Sequence, residues 1–297
     1  MDKDQPVLIA SNTKTYVSAS ILKLIENKKL QLNQPILNLL SKKTKRLLLK
    51  RGCHLNKITI RNLLSHNSGI ADYVNDYYFS YVGKNPDHQW TRDQQIEWAM
   101  TIAKPLELGK MFAYGDINYL LLSEIIEKQT WKSFCTAIRN LLDFERLSLN
   151  ATWFVDLEKK PANTLVFAHQ YSNTYNWDSF EFDPSWDLYG GGGLASTTKD
   201  LALFFQYQFE GKIIKDKKLL PEIYTYTNPR ETNNNYCLGL YNFPSFYGNK
   251  GYHHGGWWET DVIYLPELNT TISVFTLLKE KCDLNPEISH KIIEVIK

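Results

Sequence analysis

Residues 7–29, VLIASNTKTYVSASILKLIENKK, decide the reading of this chain: an apolar run stops at a serine and resumes as a helix. Val17, Ile21, Leu24 and Ile25 fall at i, i+4, i+7 and i+8, the one-sided period of an amphipathic helix that faces a core. Ser11 stands where that helix begins, and a hydroxyl there can cap it by accepting an orphan N–H. Lys14 lies on the same face one turn later. A serine becomes a nucleophile only when something takes its proton, and a lysine can do so only where its surroundings draw its pKa toward neutrality. The helix start adds N–H groups and partial positive charge where an oxyanion develops. One turn therefore supplies nucleophile, base and field together.

The same S-x-x-K spacing recurs at Ser20/Lys23 and Ser196/Lys199. Ser20 falls inside the helix, where its hydroxyl can bond back to the preceding turn. Ser196 follows a glycine run, where capping the next helix is the simplest role. Position thus singles out Ser11 and Lys14.

At 297 residues the chain exceeds the usual single-domain size, so two lobes are expected. Its 43% hydrophobic and 22% charged residues read as an ordinary soluble globular protein. No apolar run approaches the ~18 residues of a membrane span. The first ten residues lack the basic start and apolar stretch of a signal peptide. As written the chain reads as cytoplasmic, and as periplasmic or secreted if a signal sequence precedes Met1. Cys53, Cys135, Cys237 and Cys282 are far apart and form no C-x-x-C, and there is no H-E-x-x-H, so no metal or other cofactor is expected. From Glu26 to Asp72 every charged residue between is Lys or Arg, including Lys42, Lys43, Lys45, Arg46, Lys50 and Arg51. Such a block can meet an anionic surface, or simply form a solvated loop. Without interleaved aromatics it does not read as a nucleic-acid binder, and the expected partner is a small-molecule or peptide substrate.

Along the chain, Pro35 marks a short helix start within residues 30–40. Helical spacing recurs at 58–64, 92–103, 118–128 and 131–141. Residues 72–90 read as loop. Residues 167–189 form an aromatic loop, either a binding wall or a segment pinned to the body by its rings, and end at Gly190, Gly191, Gly192 and Gly193. A helix over 196–209 follows. Residues 236–241, 247–253, 258–265 and 270–277 are short, aromatic and β-branched, the pattern of an antiparallel meander. A helix over 286–295 closes the chain. The expected class is α/β of α+β type, an antiparallel sheet flanked by helices plus a mostly helical lobe. Residues 1–40 and 196–297 would form the sheet lobe and 41–195 the helical lobe.

Five stretches together carry a resemblance: ASNTKTYVSASILKLIENKKLQLNQPI, ITIRNLLSHNSGI, FAYGDINYLLLSEIIEK, GGGGLASTTKDLALF and HHGGWW. In this order, across nearly the whole chain, they resemble the serine β-lactamases and penicillin-recognising enzymes. The likeness is greatest to the class C-like branch with its D-Ala-D-Ala carboxypeptidases and esterases. The resemblance implies a β-lactamase/transpeptidase-like fold, with Ser11 as acylated nucleophile and Lys14 as neighbouring base. Tyr114 matches the tyrosine of the Y-x-N element, which shares proton transfer with the lysine in this branch. Asp116 replaces the asparagine of that element. An ionised aspartate only accepts hydrogen bonds, so it would hold Lys14 more strongly and repel a substrate carboxylate or amide carbonyl.

His253, His254 and Gly255 look like the family's third element on the strand edging the site, although His254, Gly255 and Gly256 fit as well. The first register implies an oxyanion hole from the backbone N–H groups of Ser11 and Gly256. Trp257 and Trp258 either wall the acyl pocket or fill the sheet core. Family members usually carry several tens of residues, including early strands, before the nucleophile; here ten precede Ser11. The function implied is a serine acyl hydrolase acting through an acyl-enzyme on an amide, lactam or ester. A small-ester esterase is the alternative within the class, and a catalytically impaired peptidoglycan- or ligand-binding protein the alternative outside it.

Overall fold

The computed structural model describes residues 2–102, 104–109, 111–226 and 235–297. The chain opens with β1 (Val7–Leu8), a 3-10 turn at Ala10–Asn12 and α1 (Thr13–Glu26). α1 is buried on almost every side, as expected of a helix that is apolar or small all round. Ser20 Oγ donates to the Tyr16 carbonyl at 2.8 Å, which occupies it within the helix.

Pro35 precedes a single 3-10 turn, Ile36–Asn38. The basic block then forms α2 (Lys42–Lys50), where a loop was one of the readings. Ser41 caps it by accepting the Thr44 N–H, and Thr44 and Leu48 face inward beneath the solvated lysines. After α3 (Ile60–Leu64), residues 72–90 also depart from the loop expectation, because α4 (Asp76–Lys84) lies within them. Asn75 caps α4 through the Tyr78 N–H, and burial of Tyr78, Phe79 and Val82 holds it. Four aromatics in nine residues hid this helix, since aromatic rings lose rotamer freedom against the preceding turn. α5 (Arg92–Ile102), α6 (Ile117–Thr130) and α7 (Phe134–Leu142) complete the helical region. Residue 103, the expected end of α5, lies outside the described residues.

Three short strands follow: β2 (Trp153–Phe154), β3 (Tyr171–Ser172) and β4 (Trp177–Asp178). β5 (Leu194–Ser196) then pairs antiparallel with both β1 and β2, so Ser196 ends a strand, and α8 (Thr198–Phe209) starts two residues later. Thr197, rather than Ser196, caps α8. Ser196 is fully buried, its Oγ 2.8 Å from Thr152 Oγ1.

The main sheet is antiparallel in the order β6 (Tyr241–Phe246), β7 (Asn249–Gly256), β8 (Thr260–Leu265) and β9 (Thr270–Phe275). α9 (Leu284–Ile296) closes the chain against β9, and α8 packs on β8 and β9. The first strand of this meander begins at Tyr241, where the pattern placed it at 236–241. One continuous apolar cluster joins α1, the helical region and the inner face of β7 and β8. Among the described residues no helix is long and apolar enough to cross a membrane.

Candidate active site

Ser11 sits in the 3-10 turn ahead of α1, just after Ala10, whose φ of +43° lies in the left-handed region. A non-glycine residue there stores strain and needs its surroundings to hold it. Asn12 does much of that holding: its Nδ2 donates to the Thr260 carbonyl at 2.8 Å and to the Ile9 carbonyl at 3.2 Å. The nucleophile turn is thereby tied to β8. Ser11 does not cap α1. Its Oγ instead accepts from Lys14 Nζ at 2.8 Å.

Lys14 is 0% exposed, and its three N–H bonds have three acceptors. They are Ser11 Oγ at 2.8 Å, the Gly191 carbonyl at 2.6 Å and Asp116 Oδ1 at 2.6 Å. Tyr114 hydrogen-bonds Ser11 from the other side, and its ring centroid lies 4.9 Å from Lys14 Nζ. Burial, then the charge of Asp116, push the Tyr114 phenol well above its ordinary range, so it is a proton donor in the resting site.

β7 supplies the facing edge. β6 pairs with β7 only as far as His253, leaving residues 254–256 with β8 on one side and an open edge on the other among the described residues. Of the two registers left open by the sequence, the pleat turns His254 inward and His253 away. His253 Nε2 lies 3.3 Å from Asp261 Oδ2. His254 is buried, with Nδ1 2.8 Å from the Gly255 carbonyl and Nε2 3.2 Å from the Tyr236 hydroxyl. A carbonyl only accepts, so Nδ1 carries the proton and Nε2 takes the tyrosine's.

Gly256 has a different part from the oxyanion donor expected of it. Its carbonyl accepts the Glu259 N–H at 2.9 Å and so faces β8. In an antiparallel ladder a residue's N–H and C=O face the same neighbour, so the Gly256 N–H is turned toward β8, opposite Thr260. What Gly256 contributes is a missing side chain: a Cβ there would overlap the Ile9 carbonyl and Thr260 Oγ1. Only glycine lets β7 approach the nucleophile turn this closely.

Residues 1–285 match the family described as beta-lactamase. The chain belongs to the β-lactamase family. It is 26% identical over 268 residues to an N-acetylmuramyl-L-alanine amidase of Bacillus subtilis (strain 168), covering 80% of this chain and 60% of that protein. The chain thus spans less than two thirds of that relative's length. A D-amino acid amidase from Ochrobactrum anthropi SV3, solved with D-phenylalanine, shares the fold at a TM-score of 0.79 and 20% identity, over 99% of this chain and 94% of that one. A penicillin binding protein from Bacillus halodurans gives 0.77 and 17%, over 100% and 88%.

In this β-lactamase family member two further carboxylates gather behind Asp116. The glycine run makes room for them: a Cβ at Gly191 would come within 2.9 Å of the Asp116 carboxyl carbon, and one at Gly192 would overlap the Asp187 carboxylate. On the other side a Cβ at Gly115 would lie 3.0 Å from Asp72 Cβ. Burial, then the charge of Asp116, push Asp187 well above the ordinary carboxylate range and Asp72 up to about 7. His66 packs on Tyr114 at 4.3 Å between ring centroids, its Nδ1 accepting the Gly115 N–H at 3.2 Å. Burial, then Lys14, hold His66 and His254 well below their usual pKa and so neutral.

Asn12, His66, Asp72, Asp187 and Tyr236 were not singled out from the sequence. His66 lay within a recognised stretch, LLSHNSG, that read only as a turn. Nothing local marks the two aspartates. Trp258 is 1% exposed and belongs to the core, while Trp257 is half-buried at the pocket edge. In the aromatic loop, Trp177 and Trp186 are buried and pin it, while Tyr171 and Phe180 stay exposed.

These shifts set the pH dependence of stability. A carboxyl raised on folding contributes fully below its unfolded pKa of about 4 and loses that contribution as pH rises through its folded value. Asp72 and Glu259, both pushed to about 7, therefore weaken the fold progressively as pH rises from about 4 to about 7. The depressed histidines act oppositely, removing stability as pH falls below about 6.5. Thermal melting should show Tm rising as pH is lowered from 8 toward 6.5, with the gain flattening below that as the histidines offset the carboxyls. A Tm that climbs steadily to pH 8 contradicts this.

Proposed function

We propose that this protein is a serine acyl hydrolase that cleaves amide bonds through a covalent acyl-enzyme on Ser11. The observation that carries the reading is the 2.8 Å contact of Lys14 Nζ with Ser11 Oγ at a helix start. Loss of one Lys14 proton, toward Asp116 or solvent, leaves an amine that accepts the Ser11 proton as Oγ attacks the carbonyl carbon. The carbonyl electron pair moves onto oxygen, which the Ser11 N–H stabilises. Collapse of the tetrahedral intermediate breaks the C–N bond, and the amine leaves with a proton passed through Tyr114. Water then attacks the ester carbonyl, and the same groups return the proton to Ser11.

Substrate preference follows from charge and shape. The Lys14 ammonium is already paired with Asp116 and offers no free charge to a substrate carboxylate beside the scissile bond, while a protonated amine is tolerated. Trp257 leads from the end of β7 to Phe79 and Trp177, each 5.6 Å away between ring centroids, beside a cavity of about 510 Å³. An aromatic side chain suits this wall. Amides of aromatic amino acids with a free amine are the preferred class, in keeping with the D-amino acid amidase likeness. Turnover of D-phenylalanine amide, a D-Ala-D-Ala peptide and a p-nitrophenyl ester compares the options. The amide should exceed the carboxylate-terminated peptide about tenfold or more in kcat/KM; the reverse order, or turnover of the ester alone, overturns the assignment.

One observation favours a second reading, a ligand-binding protein with a silent site. Asp116 pairs with Lys14 at 2.6 Å, and with Ser11 and Gly191 it engages every N–H of the lysine. Asp116→Asn separates the two. In a working hydrolase the parent protein already turns substrate over, and the variant changes kcat/KM by about tenfold at most. In a silent site, activity emerges only in the variant.

A further inference from the structure

A pocket of about 800 Å³ lies at the carboxyl end of α2, on the far side of residues 66–69 from Ser11. Lys50, Arg51, His54 and Lys57 line one wall and Lys104 the other, with Glu107 as the one acid in the lining. The ammonium groups of Lys50, Lys57 and Lys104 make no hydrogen bond or ion pair with a described residue, unlike that of Lys43 in the same helix as Lys50, which reaches Asp93 at 2.8 Å and Glu97 at 3.0 Å. The three lysine charges brought together repel, and the single lining acid, Glu107, is outnumbered by them. Their gathering around a concavity is favourable once an anion occupies it. The end of α2 adds only about half a negative charge, which the cations outweigh.

The kind of charge narrows the ligand. Three of the four fixed cations are lysines, compact charges without the planar fork that matches a carboxylate. The volume exceeds what a single phosphate needs and falls in the range of organic ligand sites. Ile58, Pro105 and Leu108 give the floor an apolar portion. We propose that this pocket is a second binding site, separate from the acyl-transfer centre, for a ligand carrying two or more phosphoryl groups.

Its walls are built into the fold. The Leu106 N–H donates to the Gly69 carbonyl at 2.7 Å and the Gly109 N–H to the Asn67 carbonyl at 3.0 Å, joining the 104–109 segment to the strip between the two sites. Ser68 lines the pocket, while His66, two residues earlier, packs on Tyr114. Occupancy therefore does not block Ser11, and the proposal stands whether or not the site at Ser11 is catalytic.

Calorimetric titration of the full chain with inorganic tripolyphosphate, pyrophosphate and citrate tests it. Tripolyphosphate should bind with one saturable site per chain, and citrate about tenfold or more weaker. Lys57→Glu with Lys104→Glu should weaken tripolyphosphate at least about tenfold, while Lys42→Glu with Arg46→Glu, the same charge change outside the lining, should alter it less than about threefold. Should the pocket reversal unfold the protein, Lys57→Gln with Lys104→Gln reads the same loss. Absence of saturable phosphate binding, equal weakening by both pairs, or citrate binding as tightly as tripolyphosphate each overturns the proposal.

Discussion

Replacing Lys14 with methionine is expected to unfold the protein at much lower temperature as well as silence it. The methionine keeps most of the apolar stem and removes the ammonium, the cation that pairs with Asp116 and acts on Asp187. Breaking a buried pair from one side costs about 3–5 kcal/mol, because the remaining charge stays desolvated and unpaired. For a chain of this size that is a Tm drop on the order of 10 °C. The orphaned carboxylates can recover part of it by taking up protons, so the drop should be larger at pH 8 than at pH 6. Equal losses at both pH values contradict the arrangement. Turnover should fall by about 100- to 10,000-fold, the span associated with a general base.

Ser11→Ala has the opposite balance, a large kinetic effect with little change in stability. The hydroxyl is half-buried and caps nothing, so its loss should shift stability by no more than about 1 kcal/mol. Turnover should drop by about 10,000-fold or more, since no neighbouring group can form the acyl-enzyme. Ser196 is no substitute, being fully buried against Thr152 and unable to meet a substrate carbonyl. A variant that keeps its fold and more than about a hundredth of its rate places the nucleophile elsewhere.

The parts of the site legible in the sequence were those that local spacing fixes. Ser11 and Lys14 are three residues apart on one helical turn, and Tyr114 and Asp116 are set by the turn ahead of α6. The register at residues 253–256 was not legible, because two adjacent histidines alternate faces of a strand and only pairing with β6 and β8 decides which turns inward. Asp72 and Asp187 were invisible for another reason: each reaches Asp116 across space cleared by a glycine, and a missing side chain advertises room without naming its occupant.

The helices behaved similarly. α1 and α8 follow their apolar period, whereas α2 and α4 were obscured by lysines and aromatics and rest on the Ser41 and Asn75 caps and a few inward residues. Caps are a single-residue signal and easily read as turns. The four-glycine run, read only as a sharp bend, turns out to house the carboxylates that surround the lysine.

The most direct test of the account is the position of a covalent adduct. The full chain would be treated with a fluorophosphonate probe, digested and mapped by mass spectrometry. The account predicts a single modified peptide carrying the probe on Ser11, with labelling abolished in Ser11→Ala and slowed in Lys14→Met. A probe found on Ser196 or another serine, or labelling that survives in Ser11→Ala, contradicts it.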